Sequence, residues 1–285
     1  MKPFRLMVAA LAFLCAVYGV TARAAERPLW EIGVGAGVLD LPYYRGAADN
    51  RVLPVPFVYP LYHGKIFKVD EQGVRGLFLK SDRFILDFSA DGTVPASKGD
   101  VKGREGMPSL GLTFQLGPSV TIDLWDKPRH EQRLLLTLPV RSVFAVNSGL
   151  DQIGFASSPK LTYQRNVRFA ERFWRVSMTG GIELGSNELH DYFYTVAPRF
   201  ATPTRPAYNA AGGYAGTRFT LSAVGRLGKS WIGAFVRYDN VSDAVFSDSP
   251  LVKKDGNLSA GLVMAWFIAK SKRMVRVPDQ DVLRY

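Results

Sequence analysis

The sequence is poor in the residues that carry thiol and metal chemistry. It contains one cysteine, Cys15, and three histidines, His63, His130 and His190, in 285 residues. Cys15 lies in a segment expected to be removed on export, so the mature chain is expected to need neither disulfides nor thiol chemistry. The histidines lack metal-ligand spacing. No apolar run of spanning length follows residue 24. These absences exclude a helical inner-membrane protein and predict no metal or cofactor.

The first 24 residues are typical of a secretory signal peptide. Lys2 and Arg5 precede an apolar stretch over residues 6–20, and Ala22-Arg23-Ala24 offers a cleavage site, which predicts a mature chain that begins at Ala25. Because cleavage removes three cations and no acid, the formal net charge falls from +11 to +8. A basic protein in the envelope of a Gram-negative bacterium meets anionic lipid headgroups and lipopolysaccharide phosphates, and nucleic acid is not a partner there.

Period-2 alternation is the strongest pattern in the chain, above all between Gly213 and Ile268. Three runs there, residues 218–227, 231–239 and 257–268, alternate apolar side chains with small or polar ones. Successive strand residues point to opposite faces, and runs of about 10 to 13 residues are long enough for tilted strands to cross a bilayer. We therefore predict an all-β fold, a transmembrane antiparallel β-barrel of the outer membrane with about 12 strands, or about 10 as the alternative.

Other segments set the strand count and the segment boundaries. Residues 30–38 alternate apolar residues with glycine, which predicts close packing on the inner face of that strand. Residues 65–80 fit one bent strand or two short ones, and Gly117-Pro118 predicts a turn between two strands. The usual even number of strands favours about 12. We predict a signal peptide at 1–24, a barrel at 25–269 and a basic periplasmic tail at 270–285.

Pro54, Pro56 and Pro60 share one parity of the strand predicted over residues 53–61. Residues two apart in a strand direct their N–H groups towards the same neighbour, so these prolines remove donors on one side only. The barrel wall is predicted to be weak on that side, or the stretch to lie outside the membrane.

The longest interruption of the alternating pattern runs from Ser186 to Gly213 and is rich in aromatic residues and glycine. A loop of this length is usually functional or disordered, and its aromatic density argues against disorder. Short motifs occur in this loop and elsewhere: residues 30–35 (WEIGVG), 42–46 (PYYRG), 191–196 (DYFYTV), 205–210 (RPAYNA), 212–216 (GGYAG) and 249–252 (SPLV). In combination they resemble the MipA/OmpV family of outer-membrane proteins, over nearly the whole mature chain.

The resemblance implies a scaffold that bridges a lytic transglycosylase and a penicillin-binding protein, as the founding member of the family is taken to do. Other members are described as porins or adhesins, so a small-solute porin or a surface adhesin is the alternative. The aromatic loop would supply the interacting residues, which are Tyr192, Phe193, Tyr194, Arg205, Tyr208 and Tyr214.

Charged residues fall on the predicted inner face of several strands. The cations are Arg133, Arg141, Lys160, Arg175, Arg218, Arg226 and Arg237, and the acids are Glu31, Asp87, Asp123, Glu183 and Asp239. An excess of cations would suit an anion-preferring pore. Because the two signs are close to balance, we favour a network of ion pairs that fills the lumen.

Basic residues follow the last predicted strand, at Lys270, Lys272, Arg273 and Arg276. Such a tail binds a partner or lipid headgroups, or is merely solvated. His190-Asp191 is the best candidate for the catalytic pair of an outer-membrane hydrolase. Adjacent residues of an extended segment point in opposite directions, so a hydrogen-bonding role in the loop is favoured. We predict a protein that is not an enzyme and that acts as a scaffold.

Overall fold

Strands dominate the computed structural model, which describes residues 25–64, 67–70, 73–81, 83–93, 101, 103–126, 132–147 and 149–277. The predicted signal peptide, His130 and residues 278–285 lie outside that part of the chain. The strands are β1 (Ala25–Pro28), β2 (Trp30–Pro42), β3 (Asn50–His63), β4 (Phe67–Asp70), β5 (Gly73–Lys80), β6 (Phe84–Thr93), β7 (Leu112–Asp126), β8 (Gln132–Val146), β9 (Leu150–Ser157), β10 (Lys160–Phe169), β11 (Arg172–Gly185), β12 (Gly213–Leu227), β13 (Ser230–Asn240), β14 (Gly256–Lys270) and β15 (Met274–Val277). Helix α1 covers Asn187–Tyr194, and a 3-10 turn covers Pro198–Phe200.

The strands β2 to β14 form one antiparallel sheet that closes on itself. Each pairs with the next along the chain except β9 with β10, and β14 pairs with β2. β9 and β10 share one position in the wall, because both pair with β8 on one side and with β11 on the other. The 13 strands of this sheet therefore fill 12 positions, which confirms the predicted barrel.

Two outcomes for the strand boundaries offset each other in that count. Of the two alternatives for residues 65–80, the structure has the two short strands, β4 and β5. The turn predicted at Gly117-Pro118 is wrong, because β7 runs straight through it. Both residues pair with β6, while the ladder with β8 skips them. A side chain at Gly117 would lie 2.7 Å from the Cα of Arg141, so this glycine permits a close approach of β8 and does not reverse the chain.

The two faces of the wall differ as the alternation predicted. On β14, Leu262 is 59% exposed on the outer face, whereas Ser259 and Ala265 are buried on the inner face. An apolar outer face is what contact with lipid requires. The predicted close packing inside β2 is also present, because a side chain at Gly35 would meet the ring of Phe57 at 2.7 Å. Its neighbours are side chains and backbone of β3 and β14.

The two ends of the barrel differ in their connections. At one end the chain turns tightly, as between Leu227 and Ser230, and β1 pairs with β15 there, with Glu26 opposite Arg276. At the other end long connections cover residues 43–49, 94–111, 186–212 and 241–255. In bacterial outer-membrane barrels, short turns are periplasmic and longer loops are external. No helix in the described part of the chain is long and apolar enough to cross a membrane.

The long connections fold together into one layer, which we call the loop cap (the described residues of 43–49, 101–111, 186–212 and 241–255). Part of the segment predicted as an aromatic loop is helical. Ser186 caps α1, because its side-chain oxygen accepts the N–H of Leu189 at 3.4 Å, and Glu188 lies in the first turn. Both features stabilise the start of a helix. The helix is too short to show in a search for long helical periodicity.

Candidate functional site: a chamber beneath the loop cap

The loop cap has a hydrophobic core of its own. Phe246, Leu251, Val196 and Val241 are fully buried in it. The ring of Phe246 stacks on Tyr194 with 3.6 Å between ring centroids. Burying side chains of this size stabilises a layer by several kcal/mol in total. The loop cap is therefore a packed lid over the barrel and not a set of separate loops.

Hydrogen bonds from buried tyrosines join the separate loops. The hydroxyl of Tyr44 donates to the carbonyl of Leu251 at 2.7 Å, and the hydroxyl of Tyr194 donates to the carbonyl of Arg45 at 3.0 Å. Ser249 donates to the carbonyl of Tyr194 at 2.7 Å. Burial raises the pKa of Tyr44 to about 12, so this hydroxyl keeps its proton and remains a donor.

Two buried arginines act as further cross-links. The guanidinium of Arg205 donates to the carbonyls of Phe200, Gly103 and Glu105 at 2.8 to 3.0 Å. Arg104 donates to the carbonyl of Phe193 at 2.7 Å. Buried charged groups are tolerated where carbonyl oxygens satisfy their donors. These bonds tie the connection between β6 and β7 to the connection between β11 and β12.

The residues predicted for an interaction loop lie mostly inside the loop cap. Tyr194 and Arg205 are buried, and Tyr192, Phe193, Tyr208 and Tyr214 are half-buried. Tyr208 exchanges backbone hydrogen bonds with Val196, at 2.8 and 3.0 Å. The motifs at residues 42–46, 191–196, 205–210 and 249–252 thus meet in one layer, where they hold the loops together.

His190 is a packing residue of the same layer. It is 3% exposed, its Nδ1 lies 2.6 Å from the carbonyl oxygen of Ala211, and its ring packs edge-on against Phe246. Burial lowers the pKa of His190, so the imidazole is neutral at pH 7. The extended backbone expected here is wrong, because residues 190 and 191 lie on α1. The carboxylate of Asp191 is nevertheless turned elsewhere, since it accepts the hydroxyl of Thr195 at 2.7 Å, and the pair is not a dyad.

Beneath the loop cap the lumen encloses a chamber of about 340 Å³. Its apolar lining comes from wall strands and from the cap, and includes Leu39, Leu41, Leu184, Phe193, Phe235 and Phe246. Its charged lining comprises Arg45, Arg51, Arg218, Arg237, Asp91, Glu183 and Asp239. Leu184 has the same strand parity as Ile182, which is exposed on the outer face, but a register shift between these two residues turns the end of β11, and Leu184 lines the chamber.

Asp239 is the hub of the charges around the chamber. It is 1% exposed, and its carboxylate lies 2.7 Å from the Nε of Arg218, 3.0 Å from the Nε of Arg45 and 3.3 Å from the Nε of Arg237. Arg218 also contacts Glu183 at 3.3 Å. Three arginines around one carboxylate leave the cluster with positive charge in a site of low dielectric constant.

Other predicted lumen charges are placed lower in the barrel or on its far side. Arg226 contacts Glu31 at 3.0 Å, and Arg133 contacts Asp123 at 2.5 Å. Arg141 lies 3.8 Å from Asp91, an acid that the sequence analysis did not select. Of the remaining predicted lumen residues, Asp87 is buried, Lys160 is half-buried, and Arg175 donates to Asn166 at 3.5 Å.

Aromatic rings occupy the lumen below the chamber. Tyr59 and Trp231 stack with 4.6 Å between their centroids, and Phe267 lies 6.0 Å from Tyr59. The guanidinium of Arg226 lies 4.3 Å from the ring centroid of Phe267, a favourable cation–π contact. These side chains narrow the barrel between the chamber and the end that carries the termini.

The predicted basic tail is partly strand. Lys270 is the last residue of β14, Lys272 and Arg273 are exposed between strands, and Arg276 belongs to β15. The carbonyl of Arg273 accepts the N–H of Leu29 at 2.8 Å. The pairing of β1 with β15 therefore holds these cations at the end of the barrel.

Sequence reasoning missed several residues of the site. Arg45 and Arg51 line the chamber from outside the runs that were assigned to the inner face. The side chain of Asn257 accepts the N–H of Gly46 at 2.6 Å and donates to the carbonyl of Ala47 at 3.0 Å. Arg45 and Gly46 lie in the PYYRG motif, so that motif was the available signal. Nothing in the local sequence singles out Asn257.

A closed 12-stranded barrel with an apolar outer face, long loops at one end and a charged lumen defines the class: an outer-membrane β-barrel of a Gram-negative bacterium. The family model described as MltA-interacting protein MipA matches residues 32–268. The chain belongs to the MipA family, in agreement with the predicted resemblance.

Three solved outer-membrane proteins match the chain at low sequence identity and with TM-scores below 0.5. A bacterial polysaccharide outer membrane secretin is 8% identical, with 85% of this chain and 99% of that chain covered and a TM-score of 0.43. An outer membrane channel from Pseudomonas putida F1 is 13% identical, with 88% and 100% covered and a TM-score of 0.38. The CymD monoaromatic hydrocarbon channel is 9% identical, with 85% and 89% covered and a TM-score of 0.37. None of the curated proteins searched matches the sequence.

Proposed function

We propose that this barrel is a non-enzymatic scaffold that binds a lytic transglycosylase and a penicillin-binding peptidoglycan synthase at its periplasmic end. The family description, MltA-interacting protein, supports the first of these partners. The observation that carries the proposal is the contrast between the two ends of the barrel. The loop cap covers one end, whereas the end with the termini presents a basic surface.

Cations dominate that surface among the side chains that the structure describes. Eight of them are exposed, namely Arg83, Arg168, Arg172, Lys229, Lys270, Lys272, Arg273 and Arg276, against the exposed acids Glu26 and Glu171. We call these cations the terminal basic surface. A surface of one sign attracts an acidic partner and accelerates encounter in a salt-dependent way. Anionic lipid headgroups of the inner leaflet would compete for the same residues.

An adhesin receives less support from the aromatic loop. An adhesive loop needs exposed side chains, whereas Tyr194 is 4% exposed and Arg205 is 7% exposed. Tyr192 uses its hydroxyl to accept the N–H of Gly111 at 2.9 Å. These contacts give the aromatic residues a structural role within the loop cap.

Charge reversal tests the scaffold. The variant Lys229→Glu/Lys272→Glu/Arg273→Glu should recover much less transglycosylase and synthase than the unaltered protein from detergent-solubilised envelopes, and more salt should weaken the unaltered interaction. A control with the same charge change at the capped end is Arg199→Glu/Lys253→Glu/Lys254→Glu, since all three residues are exposed. Equal losses in both variants, or no recovery of either enzyme with the unaltered protein, would remove the scaffold proposal.

The chamber favours a second candidate, a small-solute porin. A cavity of about 340 Å³ with both apolar and charged lining is large enough for a small ligand. Planar-bilayer conductance distinguishes this candidate. A porin should conduct, and opening the loop cap with Phe246→Ala should raise its conductance. If neither the unaltered protein nor Phe246→Ala conducts ions, the scaffold remains the better proposal.

A further inference from the structure

Among the described residues, the barrel wall has a long stretch without strand pairing between β3 and β6. β2 pairs with β3 from Asn50 to Tyr62, but β4 pairs with β3 only at Tyr62 and His63. Over residues 52–58, β2 is the one described strand that pairs with β3. Beyond the short β4–β5 hairpin, β5 pairs with β6 only as far as Ser89, whereas β6 itself continues. The parts of β3 and β6 that lie nearer the loop cap bound a gap in the ladder, which we call the lateral mouth.

Prolines mark the open edge of β3. In the register with β2, Pro54 lies opposite Val38 and Pro56 opposite Ala36, without a register shift. Proline has no N–H, so these must be the pairs of the antiparallel ladder that exchange no hydrogen bonds. Their missing donors therefore face the lateral mouth. An edge without these donors is a poor template for another strand, so the sequence itself keeps this side of β3 from being paired.

The lateral mouth lies at the depth of the membrane. Through β2, the register places Trp266 level with Val58, and it places Tyr238 on the loop side of Val52. Both rings are exposed on the outer face, as are the interfacial aromatics that flank the apolar belt of such barrels. Val52 and Val58 are 67% and 65% exposed, against 48% for Val236 on β13, a strand that is paired on both sides. Residues 52–58 thus present an apolar, accessible rim to lipid.

The same two strands contribute to the chamber. Arg51 of β3 and Asp91 and Gly92 of β6 line it. The mouth and the chamber are therefore at the same level of the barrel, and a molecule that passes between β3 and β6 arrives beneath the loop cap.

The lining indicates which molecules would fit. Leucine and phenylalanine side chains supply an apolar part, while four arginines face three acids across the chamber. In the Asp239 cluster, three arginines face Asp239 and Glu183. This excess of one positive charge favours an anion, and it does so more strongly in a site of low dielectric constant than in water. We propose that the lateral mouth admits a small amphipathic anion, a carboxylate with a short apolar tail, from the membrane into the chamber. This proposal does not depend on the scaffold.

Cysteine labelling tests the mouth, because the mature chain has no thiol of its own. Val55 and Val263 are matched inward, half-buried valines. Val55 lies beside the mouth, and Val263 lies on β14, which is paired on both sides. In liposomes, Val55→Cys should react with membrane-dissolved pyrene maleimide several times faster than Val263→Cys. Equal labelling rates for the two variants would overturn the proposal that the lateral mouth is open to the membrane. Heat-modifiable electrophoretic mobility confirms that both variants are folded.

A reversible bridge tests passage. Pro54→Cys/Ala90→Cys joins the two rims through a reducible bis-thiosulfonate linker, and binding of radiolabelled decanoate by the reconstituted protein is followed over time. Entry should slow when the bridge is in place and recover when it is reduced. The control bridge, Ala234→Cys/Leu262→Cys, joins residues that already face each other on β13 and β14 and should change nothing. Passage is overturned if both bridges act alike, or if the bridge across the mouth leaves entry unchanged.

A probe of opposite charge tests the ligand class. Decyltrimethylammonium has an alkyl tail only about one carbon longer than that of decanoate, and one excess positive charge in the site should weaken its binding about tenfold or more relative to decanoate. Equal affinities, or no saturable decanoate binding, would overturn the assignment to an anion.

Discussion

Two groups of strands in this barrel differ in how completely they pair. The first group is β11 to β14 with β2, and the second is β3 to β6. In the first group, which we call the continuous wall, β12 and β13 share 11 paired positions. In the second group, the interrupted wall, β3 and β4 share two. A closed membrane barrel must satisfy its backbone groups in the wall, so the interrupted wall is the exception that requires a reason.

Glycine and proline carry this difference in the sequence. On β2, Gly35 and Gly37 face inward, where a side chain at Gly37 would lie 2.5 Å from Val263. Those glycines let neighbouring strands and their side chains come close. On β3, Pro54 and Pro56 remove donors from the edge that faces the lateral mouth. Glycine therefore permits close packing of the strands, whereas proline prevents hydrogen bonding at the open edge.

The largest effect should come from placing a charge on the outer face. Leu262→Arg should cost about 2–4 kcal/mol if the residue meets the bilayer midplane. Pro54 lies at the same level, since both residues pair with Val38. Pro54→Arg should cost less, because the lateral mouth gives the guanidinium a route to the acids of the chamber. Unfolding in urea from liposomes measures both costs, and equal values would remove the distinction between the two walls.

Adding a methyl group should have the next largest effect. At Gly35 a Cβ would lie 2.7 Å from the ring of Phe57 and 3.0 Å from the Cα of Ala265, whereas at Gly92 the nearest atom would be 3.5 Å away. Gly35→Ala should therefore destabilise the barrel by about 1–3 kcal/mol, and Gly92→Ala should change its stability by less than about 0.5 kcal/mol. The measurement is the free energy of unfolding of each folded variant. If Gly35→Ala leaves the free energy of unfolding unchanged, the packing inside the continuous wall is loose enough to accept a methyl group.

Much of the wall could be predicted from sequence, because its physics is local. Alternation along one strand decides which face meets lipid, and Leu262 and Gly261 could be assigned in this way. The prolines even predicted a weak side of the wall, and β3 is the place where the ladder is interrupted. The prediction of a turn at Gly117-Pro118 was wrong because this glycine is explained by the close approach of β8, a different strand, which the local sequence does not reveal.

The loop cap could not be predicted in the same way, because its contacts join residues far apart in sequence. Tyr44 bonds to Leu251, and Tyr194 stacks on Phe246. Neither pair has a periodicity to reveal it. The family motifs indicated which segments matter, but not that their side chains would pack against one another. Asp239 was expected in the lumen, whereas its partner Arg45 was not, because Arg45 reaches it from a loop.

Acid should loosen the loop cap where it rests on the continuous wall. His190 packs beside Gly185, the last residue of β11, and the charges of Arg45 and Asp191 act on it in opposite directions. Burial holds the pKa of His190 below its ordinary value, so the unfolded chain binds a proton that the folded cap resists. Stability should be full above pH 6.5 and fall below it, by at most about 1.4 kcal/mol per pH unit.

Hydrogen exchange of the cap amides between pH 7 and pH 5 measures this loss, after correction for the intrinsic exchange rate. His190→Gln removes the titration and should make the cap insensitive over this range. His63→Gln, at the opposite end of the barrel, should leave the pH response unchanged. A response that persists in His190→Gln would assign it to another group.

The smallest effect on stability should come from replacing the prolines of β3. This replacement tests whether the prolines prevent strand pairing at the edge, as distinct from whether they stabilise the barrel. Pro54→Val/Pro56→Val restores two N–H donors that face the lateral mouth, while the ladder with β2 loses nothing, since these positions give it no hydrogen bonds. An unpaired N–H in lipid is costly, but dimerisation would pair the new donors, so the net free energy of unfolding should change by less than about 0.5 kcal/mol. The new donors turn the edge into a template for another strand, so the variant should form concentration-dependent dimers in detergent, as measured by sedimentation. Val58→Thr alters the outer face of the same strand without adding a backbone N–H to its edge and should remain monomeric. If the proline variant is also monomeric, and its edge amides exchange no more slowly than those of the control, then the prolines are not what keeps this side of the wall open.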